Sequence, residues 1–386
     1  MKTGTATLPL HYGSTPPWLF EKMTKLAREI IIVIVSEYNS TVLLEKLSDP
    51  FWFQAFGCVL GFDWHSSGLT TTVCGAVKEA VRRLEKDLNF FVAGGKGKAS
   101  RKTPEEIEFL SQKFSFPSQS LIYASRISCK VDNNALQDGY QLYHHNLFFT
   151  KEGKWTAIQQ GMNTNARLAR RYHWYSERLK DKNLRRRDNR RSSTTRPLRP
   201  SFVNEPHTAI CCNQQSRGVL NLVAQKSAKN RQISTKISHE KPEKLIRLVR
   251  KLQESSFVSI HHNNHLLMPK RHFILAKDLN PKALERTFLK TYERKAKNFE
   301  QLLGIPGVGP KTIRALSLIS ELVYGAQPSY KDPARFSFAH GGKDGTPYPV
   351  DQKIYNSSIM LLHDALKNAK IGRREKIEAI KRLRLV

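Results

Sequence analysis

The 386-residue sequence predicts an α+β fold, with an N-terminal α+β domain followed by an all-helical domain. Three observations point there. Apolar residues recur at three- and four-residue steps through the first third of the chain, and again through nearly all of it beyond about residue 240, which is the period of an amphipathic helix. Between these regions, Tyr140 to Thr150 and Trp155 to Gln160 are rich in aromatic and β-branched residues. They flank Lys151-Glu152-Gly153-Lys154, a turn sequence, so they read as a β-hairpin. Finally, the length and a 39% hydrophobic content suit one or two cores and two domains.

In chain order, Trp18-Leu19-Phe20 with Met23, Leu26, Ile30 and Val33-Ile34 forms one long apolar helical stripe. Asp63 to Gly68 breaks the pattern, and Leu69-Thr70-Thr71-Thr72 leads into a helix through Val77 and Val81 towards Leu84. Residues 94–104 read as a basic glycine-rich loop. A triphosphate-binding loop needs Gly-Lys-Ser/Thr at the helix entrance, and Gly97-Lys98-Ala99 does not supply it. After the hairpin, Arg167 to Leu179 reads as a basic helix. Residues 180–200, with Arg185-Arg186-Arg187 and Arg190-Arg191, have too few apolar groups to pack and read as a disordered basic insertion. Ser234 to Pro242 is a polar link before the basic helix Leu245 to Leu252. This places the boundary between residues 1–239 and 240–386. An irregular excursion at 325–350 interrupts the helices of the second domain. No internal repeat is visible.

The charge is large. Lys plus Arg number 64 against 33 Asp plus Glu, a net charge of +31. Such an excess attracts polyanions and makes their binding salt-dependent. Residues 178–200 contribute only +8 of it and residues 240–386 contribute +14, so the charge belongs to the folded parts as well as to the insertion. The longest apolar run, Ile30 to Val35, is far too short to cross a bilayer, and no signal-peptide core follows Met1. A cytosolic protein with no membrane partner is expected. Five cysteines without C-x-x-C spacing are expected to be reduced thiols, mostly buried, rather than a disulfide framework or a zinc site.

The most informative run is Gly304-Ile305-Pro306-Gly307-Val308-Gly309-Pro310-Lys311-Thr312. Phe299, Leu302 and Leu303 mark a short helix before it. Ile313, Leu316, Ile319 and Leu322-Val323 mark a second helix after it. Gly307 and Gly309 permit a tight turn and close approach, and Pro310 suits the first turn of the following helix. A helix N-terminus with unpaired amides is a seat for phosphate. The run resembles a helix-hairpin-helix element, the sequence-independent DNA-backbone grip of many repair enzymes. That resemblance implies a phosphate site at Gly307, Val308, Gly309, Lys311 and Thr312.

Two further resemblances bear on function. Lys2 to Gly13, His65 to Thr72, Asn133 to Asp138, Gln159 to Asn163, Arg170 to Trp174, Glu205 to Ile210 and the glycine-rich turn together resemble a family of archaeal and bacterial proteins catalogued as domain of unknown function 763. The likeness covers almost everything except 180–200, and it implies no particular activity. More narrowly, Gly307-Val308-Gly309-Pro310-Lys311 and Pro349-Val350-Asp351 are similar to the Gly-Val-Gly-x-Lys and Pro-Val-Asp of helix-hairpin-helix DNA glycosylases. In that family the lysine attacks the sugar carbon and the aspartate assists, which would give those roles to Lys311 and Asp351. Here the excursion Gly325 to Tyr348 sets the two farther apart than is usual there.

Residue chemistry offers a different reaction. Metal-assisted phosphodiester hydrolysis needs carboxylates for a hard cation and a base or activated water near the phosphate. The residue types are present in Asp63 and His65, Asp132 and Asp138, His144 and His145, and Glu205 and His207. On a strand, His144 and His145 point to opposite faces, and parity groups His144 with Asp138. Asp132, Asp138 and His144 are therefore the expected ligands of Mg²⁺ or Mn²⁺, with His65 and His207 as further catalytic candidates. Asp138 followed by Glu152-Gly153-Lys154 imitates a restriction-type nuclease signature, but here the second half reads as a hairpin turn. Arg170, Arg171 and Tyr172 combine cations with a π-face and are expected to contact DNA. The expected function is a DNA-associated, metal-dependent nuclease acting on single-stranded or branched substrates. A glycosylase or abasic-site lyase using Lys311 and Asp351, or a non-catalytic DNA-binding adaptor, are the alternatives. RNA stays open as a target, since a phosphate grip does not read the 2′-OH.

Overall fold

The computed structural model describes residues 10, 15–62, 67–181, 201–212, 216, 218–258, 279–334 and 352–384. Asp63, His65, Asp351, residues 182–200 of the basic insertion and residues 335–350 of the excursion lie outside the described residues.

The N-terminal layer is four helices. α1 (Pro17–Glu37) starts with Pro17 in its first turn and buries Met23, Leu26, Ile30 and Ile34. α2 (Ser40–Ser48) is capped by Asn39, whose side chain accepts from the Val42 amide. Asp49 caps α3 (Pro50–Leu60) in the same way, accepting from Phe51 and Trp52. All eleven residues of α3 are buried, as expected of a helix apolar on every side save for Gln54. α4 (Gly68–Ala80) completes the layer.

Next comes the sheet with its covering helices. β1 (Phe91–Lys96), α5 (Lys98–Arg101), α6 (Thr103–Phe114) and α7 (Gln119–Lys130) lead into a π-helical turn at Val131–Ala135 and the short β2 (Leu136–Gln137). β3 (Gln141–Phe149), β4 (Trp155–Asn163), β5 (Leu168–Tyr175), α8 (Ser176–Asp181) and β6 (Ala209–Cys211) follow. The five-stranded sheet is antiparallel in the order β1-β3-β4-β5-β6, and β2 pairs separately with β7 (Leu220–Asn221). The expected hairpin is present, with Lys151 to Lys154 as its turn. Two expectations need correcting. Gly94 and Gly95 belong to β1 rather than to a loop, and Gly94 is required there: a Cβ would stand 2.1 Å from the His145 carbonyl oxygen. Residues 168–175 are a strand, not a helix, and every one of them is buried. Its arginines suggested a basic helix, whereas pairing inside the protein lets an interior strand of the sheet hold them.

The remaining helices are α9 (Ala228–Ile237), α10 (Pro242–Val258), α11 (Pro281–Arg294), α12 (Phe299–Gly304), α13 (Pro310–Leu322), α14 (Gln352–Asn368) and α15 (Arg373–Arg384). Ser234 lies buried in α9, so the polar run from that residue is not a free link. One core covers the sheet face towards α7 and takes in α9 to α13. The other joins α1 to α4 with Phe148, Ile158 and Tyr175 of the sheet and with Leu361, Leu362, Leu366, Ala379 and Leu383 of α14 and α15. Both cores therefore cross residue 240, with the last two helices returning to the N-terminal layer. No helix among the described residues is long and apolar enough to cross a membrane. All five cysteines are free, four of them buried and Cys129 half-buried.

Candidate functional site

The strand register sorts the expected site residues. His145, Gln159 and Tyr172 form one cross-strand row, and His144, Gln160 and Arg171 form the next. Neighbouring rows leave opposite faces of the sheet. The first row faces α7 and the π-helical turn, because Gln159 Nε2 donates to Asp132 Oδ2 (3.0 Å) and His145 Nε2 lies 2.9 Å from Ser125 Oγ. The second faces α3 and α4: Arg171 donates to Gln54 Oε1 (3.0 Å), and Thr70 Oγ1 donates to Gln160. His144 thus leaves the sheet on the side away from Asp132. The parity argument that grouped His144 with Asp138 is corrected by a bulge between Leu142 and His144, which shifts the register by one residue.

Asp132 and Asp138 sit in a closed network. Asp138 accepts from Arg170 Nη1 (2.8 Å), the Tyr172 hydroxyl (2.7 Å) and the Tyr140 amide (3.0 Å). The Arg170 guanidinium also forks onto Asp332 (3.0 and 2.8 Å) and lies over the Tyr140 ring. Asp132 accepts from Trp174 Nε1 (2.9 Å) and Gln159, and pairs with His207 Nε2. Burial pushes the Asp132 carboxyl up, opposed by His207 and Trp174. Desolvation pushes the Arg170 guanidinium down, but Asp138 and Asp332 outweigh it and hold it well above its ordinary range. The fit to Mg²⁺ or Mn²⁺ is poor. Both carboxylates already accept from protein donors, Asp138 is matched by an arginine charge, and His144 is on the other face. Among the described residues, no group of three or more His, Cys, Asp or Glu could hold a metal ion. Arg170, Arg171 and Tyr172 are each 0% exposed, so the stacking and phosphate contacts expected of them are replaced by internal pairing.

A second polar site lies beside this network and is open. A cleft of about 910 Å³ runs between α5, α7, the start of β3 and the turn joining α12 to α13. Its walls carry Arg101, Arg126 and Lys130, the aromatic Tyr123, Ser125 and His145, and the backbone of Gly304 and Pro306 to Pro310. No carboxylate is among the described residues that line it. Tyr123 keeps 44% of its surface exposed and donates its hydroxyl to Glu300. Burial and that carboxylate push its phenol up. His144 borders the cleft as well; burial pushes it down to about 3, and pushes His145 down to about 4.

The turn is fixed against α7 by three side chains. Lys130 Nζ donates to the Val308 carbonyl (2.8 Å), Asn134 Nδ2 to the same oxygen (3.3 Å), and Gln137 Nε2 to the Pro310 carbonyl (2.9 Å). The π-helical turn widens the helix end at Val131–Ala135, with Asp132 turned into the network and Asn134 reaching the turn. Val308 and Thr312 are buried, Val308 nonetheless lining the cleft, whereas Gly307 and Lys311 are exposed. Only Gly307 needs a positive φ (95°); Gly309 is extended and precedes α13 without a side-chain cap. Gly307 and Gly309 line the cleft, and their amides donate to no backbone carbonyl among the described residues. Lys290 of α11 adds a cation beside the turn, 3.8 Å from where a Cβ on Gly307 would sit.

Tyr123, Arg126, Lys130 and Asn133 were not singled out in the sequence. Their spacing of three, four and three residues along α7 and its π-helical extension carried the signal, since it places an aromatic ring, two cations and an amide on one helical face.

The fold and its two polar sites define an α+β protein with a sealed acidic–arginine network next to an open cationic cleft. The chain belongs to the family described as Protein of unknown function (DUF763), which matches residues 4–190 and 181–350. No curated protein and no solved structure matches the chain.

Proposed function

We propose that the protein binds nucleic acid, with the cleft taking the backbone of a single DNA strand. One observation carries this reading: three cations and the amide-bearing turn face a single cleft with no carboxylate among its described lining residues. That is the arrangement a phosphodiester chain needs, with diffuse positive charge for attraction and a helix N-terminus for orientation. The resemblance of Gly304 to Thr312 to a helix-hairpin-helix grip agrees with it, and implies DNA. Tyr123 supplies a π-face on which a base can stack.

Size favours a single strand. A cube of 910 Å³ has an edge of about 10 Å, whereas the major groove of a duplex is by itself about 12 Å wide. A duplex meets only the rim, while an unpaired strand reaches Tyr123 and Arg126. The reading is one of binding. Asp132, Asp138 and Arg170 act as the internal frame beside the cleft, and Lys311 acts as a phosphate partner on its rim.

Fluorescence anisotropy with labelled single-stranded, blunt duplex and forked DNA of equal length tests the reading. Single-stranded and forked DNA are expected to bind more tightly than duplex, and Arg126→Ala with Lys130→Ala to weaken both. Binding that ignores these substitutions, or that favours blunt duplex, would overturn it. A single-stranded RNA of the same sequence reports whether the sugar is read.

A further inference from the structure

His145 lies 2% exposed in the wall of the cleft, with Nε2 2.9 Å from Ser125 Oγ and Nδ1 without a hydrogen-bond partner. Ser125 is equally buried and lines the cleft with it. Burial keeps the His145 ring neutral, so it has one N–H and one lone pair. In the tautomer in which the Ser125 hydroxyl donates to Nε2, Nδ1 carries the ring N–H and is a buried donor with nothing to receive it, a costly state unless a ligand supplies the acceptor. The backbone of Gly94 packs onto the His145 carbonyl and holds the residue in place.

An internal phosphodiester carries its oxygens on the flank of a strand, with a nucleoside on either side. A donor as deeply buried as His145 is met by something that projects, and the part of a strand that projects is its end. A phosphate monoester there has about −1.5 to −2 charge at pH 7 and three acceptor oxygens. His145, the Arg126 guanidinium and the amides of Gly307 and Gly309 are brought around one cleft, and they are donors of the matching kind. We propose that the cleft binds the terminal phosphate monoester of a single-stranded nucleic acid, with His145 and Ser125 selecting the phosphorylated end over a hydroxyl end. This rests on the single-strand reading above and adds the chemistry of the strand's terminus.

The test compares three oligonucleotides of one sequence by anisotropy with the full-length protein: 5′-phosphorylated, 3′-phosphorylated, and hydroxyl at both ends. One phosphorylated form is expected to bind about tenfold more tightly than the hydroxyl form, as a hydrogen bond to a charged group would give. Inorganic phosphate is expected to abolish that advantage while leaving the hydroxyl form bound. His145→Ala, or Ser125→Ala should the first variant not fold, is expected to remove the advantage and keep the hydroxyl-end affinity. Arg126→Ala should weaken all three. Equal binding of the three oligonucleotides overturns the terminal-phosphate proposal and leaves strand binding standing. No binding of any of them overturns both.

Discussion

The network around Arg170 and the cleft around His145 share one face of one sheet, and they are neighbours in a single cross-strand row, His145-Gln159-Tyr172. In the network, Arg170 is met by Asp138 and Asp332, Asp132 by His207, and Tyr172 by Asp138. In the cleft, Arg101 and Arg126 face solvent, His145 Nδ1 has no partner, and no carboxylate is among the described lining residues. Groups of the same kinds thus serve opposite ends. A sealed set of charges stabilises one arrangement of the chain, and a set lacking its counter-charges marks where something else completes it.

The contrast breaks first at Arg170. Arg170→Met leaves Asp138 and Asp332 buried without their cation, and removing one partner of such a pair costs about 3–5 kcal/mol. Urea unfolding should show that loss, while strand affinity per folded molecule stays at the wild-type value. Unchanged stability would mean that the network is no frame.

A second effect is on pH. His144 and His145 are held below the ordinary histidine value, at about 3 and about 4. Between about pH 6.5 and those values the unfolded chain binds protons that the folded one does not. Stability therefore falls as pH drops through that window, by up to about 1.4 kcal/mol per pH unit for each group. Asp132, pushed up by burial, works in the opposite direction. Urea midpoints from pH 7.5 to 4 should fall, with a shallower slope in His145→Asn. A His145→Asn slope identical to that of the wild type would place the His145 ring in contact with water.

Smaller effects belong to the cleft wall. Gly307→Ala forces a Cβ onto a φ of 95° and should cost about 1–2 kcal/mol of stability. It also turns the amides of the turn away from the cleft, so strand affinity should fall with it. Lys311→Ala lies on an exposed helix start and should leave stability within about 0.5 kcal/mol of wild type. Its mark is in salt dependence, where the slope of log K against log salt for a single strand should shrink by about 0.7. A slope that does not move would take Lys311 out of the interface.

Much of the fold was legible along the chain. The apolar stripe of α1, the Lys151–Lys154 turn and the glycine-rich turn before α13 are local signals, set by backbone geometry and side-chain period within a few residues. The candidate site was legible on one wall only, the turn at Gly307. The opposite wall was hidden because Tyr123, Arg126 and Lys130 look like any solvated helix face until β3 and the turn close around them. The acidic residues misled for the converse reason. Asp132 and Asp138 are of the types that hold metal ions, but their partners Arg170, Trp174 and His207 are supplied from distant strands and loops.

By itself, then, the sequence determined the apolar stripes of α1 and α4, the hairpin, the basic character of the protein and the tight turn before α13, since each depends on neighbours in the chain. The tertiary structure alone decided that Leu168 to Tyr175 is a central strand, that Arg170 and Arg171 are internal while Arg126 is not, and that His145 rather than His144 shares a face with Asp132. Those outcomes depend on which surfaces meet and on a one-residue bulge in β3. A charge is buried only where its partner arrives from elsewhere in the chain, and no local period records that meeting.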